Sequence, residues 1–218
     1  MSGVSGADAP GVADAHSGTK YRTIVADPPW AYDEGTSRQA RCQRCSRVRY
    51  ADAKTRCNCE TPDFKPYAHS LPYSSMTLQE IEELPVGSLA DGNCNLYLWT
   101  TQRYLRATFG IAESWGFTPR LTLTWGKPAK GLSAGPFVNS SEFILYAVRG
   151  NAERVGCHMG TVFTWPRRAH SAKPEAFLDI VEQVSPGPYV ELFARRARFG
   201  WDYCGNESLG TASMEEAA

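Results

Sequence analysis

The run Thr23-Ile24-Val25-Ala26, closed by Asp27-Pro28-Pro29-Trp30, constrains this chain more than any other stretch. A short apolar, β-branched run suits a buried strand. Pro28 and Pro29 lack N–H groups and cannot extend a ladder, so the strand must end at Asp27. A carboxylate therefore stands at the C-terminal lip of a buried strand, ahead of a rigid turn and an indole. In open α/β sheets that lip is where ligands bind.

This arrangement suits chemistry on the exocyclic amine of adenine. That amine is a poor nucleophile because its lone pair is delocalised into the ring. The Asp27 carboxylate and the Pro28 carbonyl offer two acceptors for its two N–H groups, which frees and aims the lone pair. The prolines hold the carbonyl fixed, so little reorganisation is needed. Trp30 offers a face on which a base can stack, worth roughly 1–3 kcal/mol. The same tetrapeptide also reads as a strand end with a Pro-Pro stop and a core Trp.

The chain has 218 residues, 42% of them hydrophobic and 21% charged, with no net charge. That suits one globular domain with a sizeable core. Neutrality argues against wholesale electrostatic capture of nucleic acid but leaves room for a local basic patch. No apolar run approaches the length of a membrane span, and no apolar stretch precedes Lys20, so the expectation is a cytoplasmic protein without a secretory signal. Residues 1–19 and 208–218 have the composition of disordered tails flanking a folded region, 20–207.

Residues 35–60 break the pattern. They hold Cys42, Cys45, Cys57 and Cys59, four of the seven cysteines, and seven basic residues. Without an export signal, such crowding favours metal or free thiols over disulfides. The spacing C-x2-C-x11-C-x-C resembles a zinc knuckle, though its second pair departs from the usual C-x2-C. A structural zinc is one reading; an Arg-rich disordered loop with incidental thiols is the other.

Further along, Thr77 and Glu80 make a capping box before Leu78, Ile81 and Leu84. Residues 95–101 and 121–125 read as strands, with a helix over 103–115 between them. Residues 142–148 read as another strand. Between 126 and 139 lies a Gly/Pro-rich stretch expected to be a mobile loop at the lip. Glu142 is expected to be a solvated strand start. Pro174 suits the first position of a helix whose buried face is Phe177, Leu178, Val181 and Val184. Lys173 then stands where a helix dipole favours anions. Residues 189–193 are a short hydrophobic strand. Alternation of strands and helices gives an α/β, doubly wound sheet.

Three motifs occur in order: DPPW at Asp27–Trp30, HSAKP at His170–Pro174, and ELFAR at Glu191–Arg195 with GW and then GNE at Gly205–Glu207. Together they resemble the S-adenosylmethionine-dependent amino-group methyltransferases, and most of all the adenosine-N6 methyltransferase family of the MT-A-seventy type, which has many bacterial and phage members. The resemblance implies a Rossmann-like methyltransferase sheet, with the target-amine motif ahead of the cofactor motif in a permuted order. It implies methyl transfer to N6 of adenine in a polynucleotide. Asp27, Pro28, Pro29 and Trp30 would form the catalytic turn, with Tyr73 beside the target; Glu142, besides its reading as a solvated strand start, resembles the acidic residue that opens the matching family strand. Asp27, His170, Lys173, Arg195, Asn206 and Glu207 would hold the cofactor, the last two bridging its ribose hydroxyls. A compact chain of this kind points to DNA rather than RNA. Two rival readings are a catalytically inactive nucleic-acid-binding partner subunit and a zinc-bearing nucleic-acid binder on an α/β scaffold.

Overall fold

The computed structural model describes residues 18–31, 39–45, 48–50, 59–60, 63–66, 75–127, 133–134, 137–156, 158–166 and 173–204. Two compact units emerge, one of residues 1–30 with 77–218 and one of residues 31–76. The expected tails, except residues 18 and 19, lie outside the described residues, as do Cys57, Tyr73, His170, Asn206 and Glu207.

The larger unit is built on a seven-stranded sheet. Its strands are β1 (Tyr21–Ala26), β5 (Ala90–Thr100), β6 (Thr118–Gly126), β9 (Ser141–Arg149), β10 (Val162–Thr164), β11 (Tyr189–Leu192) and β12 (Trp201–Cys204). The spatial order is β10-β6-β9-β5-β1-β11-β12. β1 is parallel to both neighbours, β5 and β11, and β12 is parallel to β11. β9 runs antiparallel between β5 and β6. The sheet is therefore mixed, one antiparallel strand standing in the expected α/β, doubly wound arrangement. An antiparallel β6–β9 pair needs no crossover helix, and among the described residues between the two strands there is none.

Helices cover both faces. On one, Val25, Tyr97, Trp99, Trp125 and Ile144 pack with Phe177, Leu178 and Val181 of α4 (Glu175–Val184). On the other, Thr108 of α3 (Leu105–Ser114) donates its hydroxyl to Thr100 at 2.7 Å. Thr100 shares its face with Leu96 and Leu98, which are fully buried. This double covering explains why β1 and the second half of β5 are continuous apolar runs rather than alternating ones.

The expected capping box is present: Thr77 caps α1 (Leu78–Glu82), and Glu80 reaches back to the Thr77 N–H at 2.7 Å. A short α2 (Val86–Leu89) leads into β5. Pro174 is the N-cap of α4 rather than its first helical residue. Within the supposed loop 126–139, Lys127 N donates to Ser140 O at 2.7 Å. Beyond that bond β7 (Ser133–Ala134) pairs with β8 (Phe137–Val138), so the described part of this stretch is a hairpin arm.

The smaller unit holds a three-stranded antiparallel sheet of β2 (Gln39–Cys42), β3 (Val48–Tyr50) and β4 (Phe64–Pro66), in the order β3-β2-β4. The insertion is thus wider than 35–60, because β4 lies beyond it. Among the described residues no helix is long and apolar enough to cross a membrane.

Candidate active site

Strand directions determine what meets at the lip. β1, β5, β6 and β11 end there, and antiparallel β9 begins there. Asp27 leaves β1 with its N–H on Leu192 O of β11, at 3.4 Å. Trp30 N–H donates to Pro28 O at 2.8 Å, closing a tight turn that fixes the direction of that carbonyl and leaves it a second lone pair.

Lys173 stands over this turn. Its ammonium donates to Asp27 Oδ1 at 2.8 Å and Oδ2 at 2.7 Å. It also lies 3.6 Å from Glu142 Oε2 and 5.1 Å from the centre of the Trp99 ring. Burial works against the ammonium, but Asp27 and Glu142 outweigh it and hold its pKa above the usual lysine value. Glu142 in turn pairs with Lys127, whose ammonium covers the Trp125 ring at 4.7 Å. Asp27, Lys173, Glu142 and Lys127 thus form a chain of alternating charge across the lip. Each side chain is between 15 and 23% exposed. This corrects the expectation for Glu142, which is part of the charge chain and not a solvated strand start. Sequence spacing could not show it, because Glu142 and Lys173 meet only through the sheet.

Trp30 takes the other role that its tetrapeptide allowed. It is 3% exposed, stacked on Tyr104 with ring centres 5.2 Å apart, and donates its indole N–H to Trp99 O at 3.1 Å. Its accessible face is already covered, so base stacking is not open to it in this arrangement. Trp30 instead locks the turn that aims the Pro28 carbonyl.

Beside Asp27 a cleft of about 240 Å³ opens between β11 and the start of α4. Lys173, Glu191 and Arg195 line it, with Phe177, Leu178 and Phe193 as its apolar wall. Phe193 has φ 64°, a left-handed conformation that is costly for a bulky residue and turns the chain sharply at the lip. Glu191 is the residue that sequence reasoning left without a role. Burial, aided by the nearby Asp27 charge, pushes its carboxyl up to about 7. An acid inside the otherwise apolar YVELF strand was the signal for it.

The donor set suits a zwitterionic, amino-acid-like ligand. Lys173 and Arg195 can meet a carboxylate, Asp27 and Glu191 an ammonium, and the apolar wall a hydrocarbon stem. These residues fit the methionine part of S-adenosylmethionine. β1 and β11 are neighbours in space although well over 150 residues separate Asp27 from Glu191, so the permuted order of the motifs is resolved by the sheet.

The MT-A70 family model matches residues 21–207. The chain belongs to the MT-A70 family. Its relatives include the type II methyltransferase M.MunI of a Mycoplasma species, 29% identical over 197 residues, 86% of this chain and 78% of that protein. The human N(6)-adenine-specific methyltransferase METTL4 is 28% identical over 158 residues, 63% of this chain and 33% of that one. The catalytic subunit METTL3 of the human N(6)-adenosine-methyltransferase is 28% identical over 153 residues, 64% of this chain and 26% of that one. This MT-A70 chain therefore spans most of the Mycoplasma protein and a third or less of the two human ones. The mixed seven-stranded sheet agrees with the Rossmann-like methyltransferase fold of such proteins.

In the smaller unit, Cys42, Cys45 and Cys59 bring their sulfurs within 4.8 Å of one another. Cys42 Sγ and Cys59 Sγ are 4.0 Å apart. That is too far for a disulfide. It is close to the edge of a tetrahedron of thiolates around zinc, about 3.8 Å for Zn–S bonds of about 2.3 Å.

Proposed function

We propose that this chain methylates N6 of adenine in DNA, using Asp27 and the Pro28 carbonyl to hold the amine. As a member of the MT-A70 family it is an adenine-N6 methyltransferase that draws its methyl group from S-adenosylmethionine. DNA is favoured because the relative matched over most of both chains is a type II methyltransferase, the class that modifies DNA.

The observation that carries the residue roles is the bidentate hold of Lys173 on Asp27 at the mouth of the cleft. Bound there, S-adenosylmethionine supplies an electrophilic methyl group on a sulfonium. Asp27 then takes one amine N–H and the Pro28 carbonyl the other, which turns the N6 lone pair toward the cleft. Each Asp27 oxygen keeps a second lone pair beside its bond to Lys173, so the carboxylate can accept the amine N–H while that pair stays in place. The proton that N6 loses as its new bond forms can pass to Asp27 Oδ and on to solvent. Holding these groups in place before reaction is worth more than their ground-state contacts, because the charge they meet develops only in the transition state. Tyr73 beside the base, and His170, Asn206 and Glu207 on the cofactor, complete the assignment by resemblance.

Cys42, Cys45 and Cys59, with Cys57 as fourth thiolate, would bind one structural zinc. Four thiolates leave no position for water, so this ion would order the insertion and not catalyse. The basic residues of 35–60 would grip phosphates, a salt-dependent and sequence-independent contact. The enzyme would act in the cytoplasm.

Incubation with methyl-labelled cofactor and DNA, then RNA, followed by digestion to nucleosides, tests the reading. N6-methyladenine from DNA is expected, and Asp27→Asn should lose it. Label in RNA alone would move the substrate; label without dependence on Asp27 would remove the mechanism.

A further inference from the structure

The hairpin arm of β7 and β8 carries a side chain that the mechanism above does not use. Phe137 is 79% exposed and its neighbour Val138 40%. Most other aromatic side chains near the lip are buried: Trp30, Trp99, Tyr104 and Trp125 are all under 9% exposed. Phe199 is more exposed still, at 91%, but it precedes β12 and so stands at the opposite end of the sheet.

The described pairs of the arm lie between β6 and β9 in the chain. The ladder runs to Gly126 and Ser141, continues through Lys127 N and Ser140 O, and resumes with Ser133 opposite Val138 and Ala134 opposite Phe137. Phe137 precedes Ser141 by four residues, so its Cα lies at most about 14 Å from the lip. β9 and β1 are two strands apart, about 10 Å. The stem is also joined to the catalytic turn by the Lys127–Glu142–Lys173–Asp27 charge chain.

An adenine inside a duplex cannot reach Asp27. It must leave the stack, and the hole it leaves costs stacking energy unless something flat and apolar fills it. We infer that Phe137 enters the duplex beside the target adenine and holds the base pair open, an inference that rests on DNA being the substrate. A protein interface fits less well. Specific interfaces bury about 800 Å² on each partner around an apolar centre, and the described arm offers Phe137 and Val138 alone.

The test begins by mapping the adenines that the wild-type enzyme methylates in plasmid DNA. Two short duplexes are then made, one with the target adenine opposite thymine and one with it opposite an abasic site, which opens the pair in advance. Phe137→Ala should lower turnover at least tenfold on the paired duplex and by less than about twofold on the abasic one. Phe137→Trp should keep turnover on both. Equal losses on the two duplexes, or no loss on either, would overturn the inference, as would light scattering that shows Phe137→Ala to split a dimer. Failure of the wild-type enzyme to label any DNA would be a failure of the proposed substrate, seen before any variant is made.

Discussion

Glu191 offers the sharpest measurement. Its carboxyl titrates near 7, against an ordinary value of 4.5, because burial beside Asp27 penalises the charged form. The folded protein therefore holds this proton more tightly than the unfolded chain does. Stability from this source is untouched below the unfolded value, falls as pH rises from there toward 7, and stays at its lower level above 7. The shift, 7 minus 4.5, corresponds to about 3–4 kcal/mol at about 1.4 kcal/mol per unit. Glu191→Gln removes the charge and keeps the shape. The variant should match the wild type near pH 4 and exceed it by up to about 3–4 kcal/mol near pH 8, read from urea unfolding of the cofactor-free protein. Arg196, Arg198 and Lys173 offset part of the penalty. If the ammonium of the cofactor meets Glu191, wild-type affinity should rise about tenfold from pH 6 to pH 8, and the variant should lose that slope. A stability difference that is the same at both pH values, or a variant that is weaker near pH 8, would refute the placement of this charge.

Lys173→Ala should weaken S-adenosylmethionine binding by about 1.5–3 kcal/mol in calorimetry, the loss of a charged hydrogen bond; unchanged affinity would leave Lys173 as a partner of Asp27 and Glu142 and not of the cofactor. Protein purified under reducing conditions without chelator should carry about one equivalent of zinc by elemental analysis, and Cys42→Ser with Cys45→Ser should lose it and weaken DNA binding more than cofactor binding. Arg149 donates to the carbonyls of Gly87, Trp115 and Gly116 at 2.7, 2.7 and 3.3 Å, far from the lip, so Arg149→Met should cost about 2–4 kcal/mol in denaturant unfolding and leave the turnover of folded enzyme unchanged.

What the sequence determined by itself is what neighbours along the chain decide. The β1 run, its Pro-Pro stop, the Thr77–Glu80 box and the apolar face of α4 all follow from short-range geometry, and all are present. The order of the three motifs was enough to name the family and its chemistry. Of the four cysteines that the spacing singled out, the three described ones, Cys42, Cys45 and Cys59, bring their sulfurs together. Tertiary structure decided the rest. Whether Trp30 faces a ligand or the core depended on Tyr104, which packs on it from another element. The partners of Asp27 are set by strand order, which brings residues 27, 142 and 173 to one lip although far apart in the chain. The charge on Glu191 depends on burial and on Asp27 across the β1–β11 pair. Strand pairing and side-chain electrostatics are fixed by contacts between distant segments, and no local pattern of residues encodes which segments those are.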